Sequence, residues 1–141
     1  MHISYTDKKI FSPEQISDLF ISVNWNLSAK NPQRLHKALL NSPTVFTAWH
    51  ENNLVGLARA IDDNEMTAYI HYVLVHPNYQ GFGIARHLVN LIKNKYSNYL
   101  YIELMPDESK NAIFYQKLGF KIVSDGVPMQ LCHAEKYIQN K

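Results

Sequence analysis

The sequence predicts a mixed α/β fold, and three observations point to it. Three strand-like runs, Thr44–His50, Leu54–Ile61 and Met66–Val75, are separated only by short turn-forming clusters. Strand-like, helical and again strand-like patterns then follow over 66–75, 84–96 and 99–105. Capped helical segments flank both groups. Short turns make the first three strands antiparallel neighbours, whereas a strand–helix–strand unit brings its strands together in parallel. The expected sheet is mixed, about six or seven strands wide, antiparallel in its N-terminal part and parallel at its centre, with helices on both faces.

Each element carries its own signal. Ser12-Pro13-Glu14-Gln15 combines a Ser cap, a Pro at the first helical position and a Gln three residues after the cap. Ile16, Leu19, Phe20 and Val23 then share one face at helical spacing. Asn31-Pro32 repeats the signal and opens a short helix through Leu35, Ala38 and Leu39. Glu51-Asn52-Asn53 turns the first hairpin and Asp62-Asp63-Asn64 the second. Ile84, Leu88, Leu91 and Ile92 form the next helical stripe, ending near Tyr96. A helix from a cap near Ser109 to Leu118 is stopped by Gly119. Phe120–Ser124 and Met129–His133 read as two closing strands.

Composition narrows the class of function. The 141 residues, at roughly 100–200 per domain, read as one domain over 1–141. With 46% hydrophobic and 18% charged residues, the chain is globular rather than disordered. A formal charge of +2 is too small for a nucleic-acid binder. Residues 1–80 carry 6 basic and 7 acidic side chains, and residues 81–141 carry 8 and 5. That mild bias suits a phosphate-rich ligand in the second part. Cys132, the single cysteine, excludes an internal disulfide framework and Cys-rich zinc patterns, and reads as an ordinary buried residue. No run approaches the about 18–20 apolar residues of a membrane span, so a cytoplasmic protein without membrane contact is expected.

The chemistry is concentrated between Val73 and Arg86. A strand runs into a loop holding Gly81 and Gly83, and the loop runs into a helix. Glycines let the backbone approach a ligand closely, and the first amides of a helix have no partners within it. Together with the positive end of the helix dipole they offer a pyrophosphate site, although a plain strand-to-helix turn uses the same glycines. A dinucleotide fingerprint would put a third glycine where Arg86 stands, and Glu103, 20 residues after Gly83, is the one point in its favour. The segment His76 to Gln80 separates the strand from Gly81, which counts against it. A P-loop fails for want of Gly-Lys-Ser/Thr.

Gln80-Gly81-Phe82-Gly83-Ile84-Ala85 resembles the Q/R-x-x-G-x-G/A signature of the GNAT N-acetyltransferases, with Val75-His76-Pro77 just upstream as is common there. A second segment agrees. Asn111-Ala112-Ile113-Phe114-Tyr115-Gln116-Lys117-Leu118-Gly119-Phe120 is similar to the family's N-x-A-x-x-F-Y-x-x-x-G-F, with Phe114 one place earlier relative to Ala112. The two motifs lie in order on about half of the chain. The resemblance implies the GNAT fold, acetyl-CoA as donor and an amine as acceptor. It implies that the amides of Gly81, Phe82, Gly83, Ile84, Ala85 and Arg86, following Gln80, hold the pyrophosphate. The backbone of Val73, Leu74 and Val75 would pair with the pantetheine arm and place a donor near the thioester oxygen. Asn111 and Tyr115, four apart on one helical face, would point at the cofactor beside Phe114, Asn111 toward the pantetheine and Tyr115 toward the sulfur.

The implied chemistry is direct attack of a neutral amine on the thioester in a ternary complex. An amide aimed at the carbonyl oxygen stabilises the developing charge. A hydroxyl protonates the leaving thiolate, and a base takes the proton of the ammonium. No metal is expected. A non-catalytic CoA-binding sensor or interaction module is the alternative, and Tyr115 argues against it, since a binder needs no proton donor at the sulfur.

Strand alternation puts Tyr69, His71, Val73 and Val75 on one face and Ile70, Tyr72 and Leu74 on the other. His71 stands where arylalkylamine acetyltransferases are similar in carrying a histidine, and its imidazole suits a base. A histidine hydrogen-bonded within the strand is the competing reading. No carboxylate occurs from Met66 to Asn78, which leaves Glu65, Glu103 or water as other candidates. In this family the acceptor is implied to lie between the N-terminal helices and the central strands. Trp25, Asn26, Arg59 and Tyr69 are therefore wall candidates, with Arg59 pairing either an acceptor carboxylate or Asp62 or Asp63. Small-molecule, amino-acid and peptide amines stay open, as does a homodimer.

Overall fold

The computed structural model describes residues 1–139. β1 (Ser4–Thr6) is a short edge strand. α1 (Pro13–Ser22) opens on the expected capping box: Ser12 Oγ accepts from the Gln15 amide at 3.1 Å, and Gln15 Oε1 accepts from the Ser12 amide at 2.9 Å. α2 (Asn26–Ala29) is a single turn, and α3 (Pro32–Leu40) starts where Asn31 Oδ1 accepts from the Arg34 amide. β2 (Thr44–His50) and β3 (Asn53–Asp62) form a hairpin in which His50 faces Asn53. Asp63 then organises the turn into β4 (Thr67–Val75): its Oδ1 accepts from the amides of Glu65, Met66 and Thr67 at 2.9, 2.8 and 3.0 Å. Those bonds hold its carboxyl below the usual carboxylate range. α4 (Ile84–Lys95), β5 (Tyr101–Leu104), α5 (Ala112–Lys117) and α6 (Ala134–Gln139) follow.

The sheet order is β1-β2-β3-β4-β5, antiparallel except for the parallel pair β4–β5. Each face has its own core. Ile16, Leu19, Phe20, Leu35 and Leu39 from the first helices meet Val45, Leu57 and Leu74. On the other face Ile84, Leu88 and Ile92 of α4 meet Val55, Ala58, Ala60 and Ile70. Small residues let α4 settle deeply. A Cβ on Gly56 would meet Ile84 Cγ2 at 3.1 Å, and Ala48 Cβ and Leu88 Cδ1 at 3.3 Å. Tyr96 closes the far end of α4, its hydroxyl bonded to Asp62 and to Thr44, and burial with the adjacent carboxylate pushes the phenol upward.

One register shift organises the centre. Ala58 pairs with Val73, but Ala60 pairs with Ile70, so β4 spends one residue more than β3. His71 and Tyr72 form this bulge opposite Arg59. The simple alternation expected from Tyr69 to Val75 therefore breaks: Ile70 and Val73 both serve the α4 core, while Tyr72 joins Leu74 on the side of α1. The ladder with β5 also stops here, at Ile70–Leu104. Beyond it, residues 71–75 have no strand on the β5 side.

The sheet has five strands rather than six or seven, and Phe120–Ser124 and Met129–His133 form none. Their apolar residues Ile122, Val123, Met129 and Leu131 are 63–87% exposed. A period-two pattern becomes a strand only when it pairs with a neighbour, and these segments pair with none of the described strands. Cys132 is exposed rather than buried. α6 instead folds back on α2 and α3, the Tyr137 hydroxyl donating to Ser28 O at 2.6 Å. Among the described residues no helix is long and apolar enough to cross a membrane.

Gly56→Val drives two methyl groups into Ile84 and Leu88, an overpacking that costs about 1–3 kcal/mol. Urea denaturation should show this as a lower midpoint with an unchanged slope.

Candidate functional site

The glycine loop is shaped by two left-handed residues. Gly81 has φ 87° and Gly83, the cap of α4, has φ 80°. A Cβ at either would meet nothing within 4 Å, so the loop faces open space. The loop's entry is tied down: Gln80 Nε2 donates to Val75 O at 2.9 Å, and Tyr79 Oη bonds His50 Nδ1 at 2.8 Å. Gly81, Phe82, Gly83 and Arg86 gather round one concavity of about 420 Å³, joined by His87 and Asn90. No acidic residue stands in the first turn of α4, so the helix dipole and Arg86 give the concavity a positive field. Ile84 is buried under the loop, and His87 is stacked on Tyr5 at 3.8 Å.

The bulge builds a second cluster on the α1 side. Tyr72 carries the Arg59 guanidinium over its ring at 4.6 Å, and His71 is stacked on Tyr72 at 4.6 Å. Phe20 meets Tyr72 edge-on, Trp25 lies 6.0 Å away, and Ser28 Oγ bonds the Tyr72 hydroxyl at 3.2 Å. Tyr69 lies beside His71 and pairs in register with Glu103, so both side chains leave the sheet on one face. Partial burial, and secondarily the charge of Arg59, lower the pKa of His71. Both favour the neutral ring, part of which is still open to solvent. Glu65 and Asn26 are exposed and outside these contacts.

The second motif sits apart. Asn111 ends a short turn of 3-10 helix and caps α5, exposed, while Phe114 and Tyr115 are half-buried and meet edge-on. Tyr115 also touches Phe120, whose ring packs toward the α4 core. Burial pushes the Tyr115 phenol up to about 12. Lys93 of α4 donates to Leu118 O and anchors the end of α5. Among the described residues no hydrogen bond or ring contact joins Tyr115 to His71 or to the glycine loop, so the two motifs form separate clusters.

A strand, a glycine loop leading into a helix N-terminus and a parallel neighbour whose pairing stops at Ile70–Leu104 are the features of one known architecture. Residues 10–120 match the Acetyltransferase (GNAT) family. The chain belongs to this family. An uncharacterized N-acetyltransferase, ycf52, of Porphyra purpurea is 32% identical over 84% of this chain and 68% of its own length. The GCN5-related N-acetyltransferase 2, chloroplastic, of Arabidopsis thaliana is 39% identical over 55% of this chain and 30% of its own. Among solved structures, a GNAT family acetyltransferase of Streptococcus pneumoniae superposes with a TM-score of 0.79 at 25% identity, covering 94% of this chain and 98% of that one. A probable acetyltransferase of Staphylococcus aureus gives 0.82 at 23%, covering 94% and 100%.

Within this GNAT acetyltransferase, sequence reasoning missed Tyr72, because the bulge that turns it toward His71 leaves no mark in the residue pattern. His87, Asn90 and Ser28 were missed as well. The helical spacing from Arg86 to Asn90 is the one signal that could have found Asn90.

His71 should titrate below the ordinary imidazole value of about 6.5. Nuclear magnetic resonance of its ring protons checks this, and Arg59→Met should raise the midpoint. Because its folded pKa is depressed, the unfolded chain binds the proton first. Stability attributable to His71 therefore falls as pH drops through the unfolded value and levels off below the folded one.

Proposed function

We propose that the chain, as a single domain over residues 1–141, transfers the acetyl group of acetyl-CoA to a primary amine by direct attack in a ternary complex. The open, positively polarised cradle of Gly81 and Gly83 at the start of α4, next to the unpaired edge of β4, is the observation that carries this reading. Acetyl-CoA supplies an activated acetyl thioester. The amides from Gly81 to Arg86 bind its pyrophosphate, with Gln80 holding the loop against Val75. Val73 and Val75, on either side of Leu74, whose backbone turns to β3, offer groups along the open edge to the pantetheine amides, and one amide faces the thioester oxygen. Asn111 and Phe114 line the same arm from α5.

His71 takes the proton of the incoming ammonium at its neutral imidazole, in preference to Glu103 or water, since burial and Arg59 both favour the neutral ring. Tyr115 gives its proton to the departing sulfur. A phenol held near 12 stays protonated at neutral pH, which a donor requires. The cytoplasm is the proposed compartment, although the Arabidopsis relative is named as chloroplastic. The acceptor amine belongs to a small molecule, an amino acid or a peptide.

Gly83→Asp puts a carboxylate into the cradle and should weaken acetyl-CoA binding at least about tenfold, or roughly 1.4 kcal/mol. Calorimetry giving an unchanged affinity in the folded variant would remove the cradle from the binding site.

Tyr115→Phe keeps the ring and loses the proton. Its acetyl-CoA affinity should hold while kcat falls about 10²–10⁴-fold. A variant keeping more than half of the rate would mean that solvent protonates the thiolate.

A further inference from the structure

Arg59 is the only charged side chain among the buried residues described, with 9% of its surface exposed. A buried guanidinium ordinarily lies against a carboxylate. Arg59 has none. Asp62, one partner the sequence offered, is bonded to Tyr96 and to the amide of Asn64. Asp63, the other, caps its own turn. Among the described residues the ion pair formed is Lys110–Glu108, both exposed. Arg59 Nε is fully buried without a hydrogen-bond partner. The ring of Tyr72 receives the cation and the Tyr72 side chain also hydrogen-bonds the guanidinium, but neither reaches Nε nor brings a carboxylate to the in-plane N–H groups.

The surroundings say what would satisfy them. The bulge sets Arg59 beside His71, the proposed base, at the place where β5 leaves β4. Across this face the side chains run from Arg59 on β3, through His71, Tyr72 and Tyr69 on β4, to Glu103 on β5. One end is cationic and the other anionic. An acceptor lying along that line, its ammonium toward His71 and Glu103, presents its other end to the guanidinium.

We propose that Arg59 is the carboxylate subsite of the acceptor site, so that the acceptor is an amine bearing its own carboxylate, an amino acid or a peptide end. This rests on the acetyl-transfer reading above and specifies its substrate class. The planar fork of guanidinium donors matches a carboxylate in two-point contact, which an amide or a bare alkylamine cannot reproduce.

Thiol release from acetyl-CoA, measured with each of the standard amino acids beside its carboxamide, tests the assignment. The acids should exceed their amides by at least about tenfold in kcat/KM, chiefly through KM. Arg59→Met should erase that preference while leaving acetyl-CoA affinity within about twofold. Its melting temperature should hold or rise, because an unpaired buried charge has been removed. Equal use of acids and amides by the wild type, or a preference surviving in Arg59→Met, overturns the proposal. So does a marked loss of stability with the preference intact, which would make Arg59 a packing residue. If Arg59→Met does not fold, Arg59→Lys keeps the charge without the fork, and the preference must shrink in it. If the wild type acetylates no amine of either kind, the transfer reading has failed instead. Calorimetric titration of the same amino acids into the CoA-loaded protein then decides the subsite: heat seen in the wild type and absent in Arg59→Met supports it, and no heat in the wild type overturns it.

Discussion

A single surplus residue in β4 governs the geometry of the site. His71 and Tyr72 together oppose Arg59, and the ladder to β5 ends just before them, at Ile70–Leu104. A parallel pair that ends early leaves one strand with unused hydrogen-bonding groups facing a gap, where an extended ligand can take the place of the missing strand. The same surplus turns Tyr72 toward α1, so that one irregularity adjoins the proposed donor site and assembles the aromatic and cationic cluster beside it. Both proposed substrates thus meet at a defect in an otherwise regular sheet.

The second requirement is that α4 be held still, since its first turn forms the cradle. Gly56 and Ala48 let the helix sit close to the sheet, and Tyr96 pins its other end to Asp62 and Thr44. Rigidity matters here because helix amides act on an anion only within the first turn. α5, which carries the proposed proton donor, is tied to the body at its C-terminal end, where Lys93 donates to Leu118 O and Phe120 packs toward the α4 core.

Much of this architecture was legible in the residues. Ser12 and Asn31 announced their helices, Glu51-Asn52 and Asp63 their turns, and Gly81 and Gly83 the left-handed loop, because each acts on backbone a few residues away. What failed depends on distant partners. Period two cannot reveal a bulge, since the register belongs to β3 and β4 jointly. Met129 and Leu131 alternate as a strand would, but none of the described strands pairs with them. Arg59 looked capable of meeting Asp62 or Asp63, and only the folded chain reveals that both acids are engaged elsewhere.

The free edge of β5 carries a different consequence. Leu100, Tyr101 and Met105 are exposed along or beside it, at 65%, 50% and 41%, and among the described residues no strand pairs with its outer side. Such an edge invites addition of a strand from another molecule, and a charge within it is the usual deterrent. Glu103 is the only charged residue of the strand. Neutralising it to examine proton transfer also disarms that deterrent. Part of any lost activity would then come from self-association and would return on dilution, whereas a loss in the chemistry would persist at every concentration.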